Sequence, residues 1–114
     1  MNSLKFLLFA ISSGAAVTSV ACDYPPLIAI PDGPSSTMEE LITAQGSVRE
    51  YIAGMEAYLA CVNEEIDAAG DNAPAEYKAV MFSRHNAAVA EMEAVASSFN
   101  EQVQAYKETN PDAP

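Results

Sequence analysis

A chain of 114 residues with 16 Asp and Glu against 5 Lys and Arg carries a formal net charge of −11. A field of that sign repels phosphate backbones and anionic lipid head groups, and no Lys/Arg cluster overrides it, so the composition excludes nucleic-acid binding. A chain this short makes one domain with a modest core, of the kind that often needs a crosslink or a second subunit.

Residues 1–21 have the form of an export signal. Lys5 is followed by an apolar run from Phe6 to Ala10 that continues to Val20, and the small residues Ser19 and Ala21 have the spacing that signal peptidase takes. A retained anchor helix needs about 20 uniformly apolar residues, whereas Ser12, Ser13, Gly14, Thr18 and Ser19 interrupt this run. Cleavage after Ala21 would release residues 22–114 to the periplasm or the extracellular space. The acidic surface then serves solubility, or attracts a cationic partner or loosely held divalent ions.

Residues 22–36 form a Pro-rich arm. Pro25, Pro26, Pro31 and Pro34 forbid a helix and favour extended backbone. A flexible linker would be polar, yet Tyr24, Leu27, Ile28 and Ile30 are apolar, which predicts an arm laid against something. Pro31-Asp32-Gly33 has the makings of a tight turn.

A long helix is predicted over residues 37–69. Ser36 with Glu39, and Thr37 with Glu40, both have capping-box spacing. Leu41, Val48, Ile52, Met55, Leu59, Val62 and Ile66, with Gln45 in the one polar place, form a seam stepping by four and three residues. Beside it runs a row of small residues, Ser47, Gly54, Cys61 and Ala68, which leaves a shallow groove. Gly70-Asp71-Asn72 marks a turn, with glycine suited to the C-terminal cap and Asn72 to capping the next helix. That second helix is predicted over residues 73–107, with Met81, His85, Ala88, Met92, Val95, Phe99, Gln102 and Tyr106 as its seam and residues 108–114 as a disordered tail. Two long helices on a short turn lie antiparallel. The expected fold is therefore an all-α, two-helix hairpin with the arm packed along helix one. If facing residue numbers sum to about 145, Phe99 lies over Gly46 and accounts for that glycine.

Catalysis has little to work with. The one His, His85, stands on the apolar seam, where packing is the ordinary role for the residue type, and Ser83 two residues back points to another helix face. Tight zinc or copper sites want several His or Cys ligands, and the twelve-residue calcium loop with its central glycine and terminal glutamate is absent from the sequence. No cofactor fingerprint appears. The expectation is a protein that is not an enzyme and holds no metal or cofactor.

Cys22 and Cys61 remain after cleavage, and an even count in an oxidising compartment favours pairing. Fourteen extended steps back from Ser36 reach roughly 43 Å, against about 36 to 38 Å along the helix to Cys61. The pairing is within reach if the arm runs nearly straight along the small-residue row, with Tyr24, Leu27 and Ile30 covering apolar surface. The alternative is lipidation: Ser19-Val20-Ala21-Cys22 fits a permissive lipobox, which would acylate Cys22 and anchor the chain to a membrane.

Ile30-Pro31-Asp32-Gly33, Tyr58-Leu59-Ala60-Cys61, Asn86-Ala87-Ala88-Val89, Phe99-Asn100 and Ala105-Tyr106-Lys107 resemble segments of a group of small exported bacterial helical-hairpin proteins of unknown function. The resemblance implies the architecture and carries no activity. The function expected is a non-enzymatic interaction or structural module that binds an unknown protein partner, or itself, through its apolar seam, with Met55, Met81, Met92 and Phe99 as the candidate contact residues.

Overall fold

A computed structural model describes residues 22–112, so the expected export signal at 1–21 lies outside the described residues. Two helices make up most of it, α1 (Met38–Ala69) and α2 (Ala75–Thr109), after a single 3-10 turn at Gly33–Ser35. The two helices pack against each other as an antiparallel hairpin, and the described residues contain no strand.

Thr37, of the two candidates, caps α1. Its hydroxyl accepts from the Glu40 amide at 3.1 Å while the Glu40 carboxylate accepts from the Thr37 amide at 3.4 Å, which gives two otherwise orphaned donors a partner. Ser36 is engaged elsewhere, donating its hydroxyl to the Asp32 carbonyl. The helix ends at Gly70, whose φ of 72° lies in the left-handed region that only glycine enters without strain.

The second helix departs from expectation at both ends. Asn72 does not cap it: the N-cap is Pro74, which makes no side-chain cap, and the helix starts at Ala75. Proline's ring presets the backbone for entry and carries no amide to satisfy. At the far end the helix runs through Thr109 into what had the composition of a tail. Both the amide and the side-chain nitrogen of Asn110 donate to the Tyr106 carbonyl, at 2.9 and 3.0 Å. Pro111 then prevents continuation, because it disfavours helical backbone in the residue before it.

The core is a row at sevenfold spacing on α1, Leu41, Val48, Met55 and Val62, joined by Tyr51 and Tyr58, against Met81, Ala88, Val95, Phe99 and Tyr106 on α2. Tyr51 and Tyr58 are more deeply buried than Ile52, Leu59 and Ile66, which the sequence pattern had placed in the seam and which are only half-buried. The arm is the cause. Cys22 and Cys61 form a disulfide with Cα atoms 5.6 Å apart. Tyr24 stands edge-on to Tyr58 at 4.9 Å between ring centroids, and Ile28 and Ile30 pack against the core. The arm follows the small-residue row along α1 as expected, but it also reaches α2, where the Gly33 amide donates to Gln102 Oε1 at 2.8 Å. Leu27 does not help cover apolar surface; it is 75% exposed.

Two glycines, Gly33 and Gly54, follow from this packing. A Cβ on Gly33 would lie 2.0 Å from the Gln102 carbonyl oxygen, and one on Gly54 would lie 3.1 Å from Pro25 Cβ. Gly46 does not sit under Phe99: a Cβ there would meet nothing within 4 Å. It stands two residues from buried Val48, about 200° round the helix, and so faces solvent. Opposite responses to alanine are expected. Gly33→Ala should lower stability by about 1–3 kcal/mol through overpacking against rigid backbone. Gly46→Ala should raise it by roughly 0.5–1 kcal/mol through helix propensity. Urea unfolding of both variants checks the pair, and equal effects would refute the packing account.

Candidate functional site

Two places on the hairpin combine exposed or half-exposed groups from more than one element. The first is the junction where the arm crosses the helices. Tyr24 donates its hydroxyl to the Glu91 carboxylate of α2, tying the arm to the second helix. Beneath it, Tyr51 is 2% exposed and its hydroxyl has no hydrogen-bond partner of good geometry. Burial, followed by the nearby Glu91 carboxylate, pushes the Tyr51 hydroxyl up to about 12. Tyr24 is raised as well, by desolvation first and then by its bond to Glu91. Both phenols are held neutral, so the junction is a packing and hydrogen-bonding device with no base among its tyrosines at ordinary pH.

The second place is the open end of the hairpin, between the start of α1 and the end of α2. A groove of about 480 Å³ lies there, lined chiefly by Met38, Leu41 and Ile42 from α1 and Phe99, Val103 and Tyr106 from α2. Ile42 is 58% exposed on its edge. The groove is apolar, with Lys107 as the only ionisable cation in its wall, and its chemistry is that of a contact surface.

The residues singled out from sequence fall in different places. Met55, Met81 and Phe99, candidate partner contacts, are core residues that the hairpin itself buries, and Met92 packs half-buried against that core. Two helices and an arm have few other side chains with which to fill their interior, so the seam is consumed internally. His85 is half-buried on the α2 seam, with Ser83 exposed. The ligand atoms of Cys22, Cys61 and Glu65 come within 4.8 Å of one another, but both sulfurs are spent in the disulfide and offer no thiolate, so the trio does not fit a metal. The same bond occupies the sulfur that acylation of Cys22 would use.

Tyr24, Tyr51, Tyr58 and Glu91 were not legible as a group. One signal was available: Tyr51 and Tyr58 each follow a core position, Val48 and Met55, by three residues and so share its face. Nothing in the sequence pairs Tyr24 with Glu91, 67 residues away.

The fold and its surface define a disulfide-strapped helical hairpin. No protein-family model, curated protein or solved structure matches the chain.

The junction has a pH signature. A phenol whose folded pKa is raised favours the fold fully below its unfolded value near 10 and loses that contribution as pH rises toward about 12. Stability should therefore be flat in this respect up to pH 10 and fall above it. Ultraviolet titration should show Tyr51 ionising late, or together with unfolding. A normal titration of all five tyrosines before any loss of helicity would contradict the burial of the junction.

Proposed function

We propose that the chain is an exported, non-enzymatic helical-hairpin module that works by contacting protein, itself or a partner, in an oxidising compartment. The Cys22–Cys61 disulfide carries the reading. Such bonds persist in the periplasm and outside the cell and are rare where thiols are kept reduced. This agrees with residues 1–21 acting as a cleaved leader, which would make Cys22 the first residue of the mature chain.

Contact in place of catalysis is supported by how the reactive groups are spent. His85 is taken up on the seam, Tyr24 and Tyr51 are held neutral, and both cysteines are joined. The large apolar groups left outside include Ile42, Val80 and Phe82, at 58%, 50% and 53% exposure. Anchoring by lipid on Cys22 is the lesser reading, because it would open the strap and leave Cys61 a lone thiol in an oxidising space.

The test is an intact mass on protein expressed with its own leader and recovered from the secreted or envelope fraction. The expected mass is that of residues 22–114 less two hydrogen atoms, lost on oxidation of the two thiols to the disulfide. Added acyl mass on Cys22, or two thiols that alkylate without reductant, would remove the reading's main support.

A further inference from the structure

An antiparallel helix pair has a groove along each of its two sides. The arm fills one of them, touching Gly54 and Cys61 on α1 and Glu91 on α2. The other side is bare and apolar. On α1, Ile52, Leu59 and Ile66 recur every seven residues, each four residues after core Val48, Met55 and Val62. On α2, Phe82, Val89 and Val103 keep the same grid, Phe82 and Val89 each directly following core Met81 and Ala88. The two rows belong to one face, because Gln45, seven residues before Ile52, and Val103 line the same groove at the open end. Within the pair these side chains are at best half-buried, and Phe82 is 53% exposed.

We propose that this bare face is the interface of a homodimer in which a second copy lies face to face and reversed end for end, giving a four-helix bundle with the two arms outside. The proposal rests on the protein-contact reading and names the surface and the occupant.

Charge argues for a second copy. The chain is strongly acidic, yet the residues four positions on from those of the face, Arg49, Glu56, Asn63 and Gly70 on the α1 side and Asn86, Glu93 and Lys107 on α2, are two of each sign with three neutral. Self-repulsion is thus relieved where the copies would meet. Arg49 and Glu56 are exposed, stand seven residues apart on either side of Ile52, and make no side-chain hydrogen bond or ion pair among the described residues. A twofold axis lying in the interface, perpendicular to α1 and level with the Ile52–Ala53 bond, brings Arg49 of each copy level with Glu56 of the other. A reversed copy of the same helix supplies that complementarity with no other partner. Size is compatible: from Gln45 to Ile66 and from Phe82 to Val103 the face runs about 32 Å along the helices and is about 19 Å wide, two helices of roughly 10 Å diameter packed about 9 Å apart, or about 600 Å² per copy, the lower end of the range for a specific interface.

Light scattering after gel filtration, on the disulfide-bonded chain recovered with its leader processed, should give twice the chain mass. Phe82→Ser should shift the protein toward monomer with helicity unchanged. Arg49→Glu and Glu56→Arg should each weaken the dimer about tenfold, and the double variant should restore it. A monomer whose face still binds an apolar-surface dye overturns the homodimer while leaving the protein-contact reading standing. A monomer that binds no dye overturns both. A dimer indifferent to all four variants assembles through another surface and overturns the proposal, as does a monomer that associates with neutral phosphatidylcholine vesicles.

Discussion

The rest of the structure depends on the strap between Cys22 and Cys61. Two amphipathic helices bury one seam between them, which leaves the flanks of that seam wet and the pair marginal. A covalent tie 39 residues long removes loop-closure entropy from the unfolded chain, a contribution on the order of 3 to 4 kcal/mol on the chain-entropy model. Its structural consequence is as large. With its two ends fixed, at Cys61 and at the Gly33 to Gln102 bond, the arm has little freedom left to lose. Its side chains then form a third layer over Tyr51 and Tyr58.

That layer explains the small residues beneath it. Helix interiors disfavour glycine by roughly 1 kcal/mol relative to alanine, and Gly54 is tolerated because Pro25 occupies the space a Cβ would need to share. Gly33 is the stricter case, since its backbone approaches the α2 backbone too closely for any side chain. Tyrosine suits the positions between. Its ring supplies apolar area to the core, and its hydroxyl reaches toward the polar edge, as Tyr24 does at Glu91. The Tyr51 hydroxyl is buried beside the Glu91 carboxylate, without a hydrogen bond of good geometry to it.

Much of this was legible from residue spacing, because helices write their packing into the sequence at intervals of three and four. The capping box at Thr37, the glycine stop at Gly70, the α2 seam and the reach from Cys22 to Cys61 all depend on local spacing or on chain length. What spacing misjudged depends on a third element. Ile52, Leu59 and Ile66 fit a seam as well as Tyr51 and Tyr58 do, and apolarity ranked them higher. The arm decided for the tyrosines by covering their flank. The role given to Gly46 failed for a different reason. A facing rule along the helix says nothing of rotation about its axis, and Gly46 is on the solvent side. Met55, Met81 and Phe99 lie in the core and Met92 packs half-buried against it, so most of the seam read as a contact surface is used inside the hairpin.

The strap also makes the two flanks of the hairpin unequivalent, and this asymmetry separates stability from contact. On the arm's flank the groove positions are small or polar, Ser47, Gly54 and Cys61 on α1 with Glu91 on α2, and they suit the close approach of an extended chain. On the opposite flank most of the corresponding positions are large and apolar, with Gln45 and Ala96 the exceptions, and the arm lies on the other side. Had the hairpin been selected only to be a stable monomer, polar residues on that flank would have cost little, since half-burial of a valine or isoleucine recovers only part of the roughly 1.5–3 kcal/mol that full burial brings. That flank, apolar at most of its positions and bordered by charges of both signs on a chain otherwise dominated by one, is the surface on which the proposed protein contact rests.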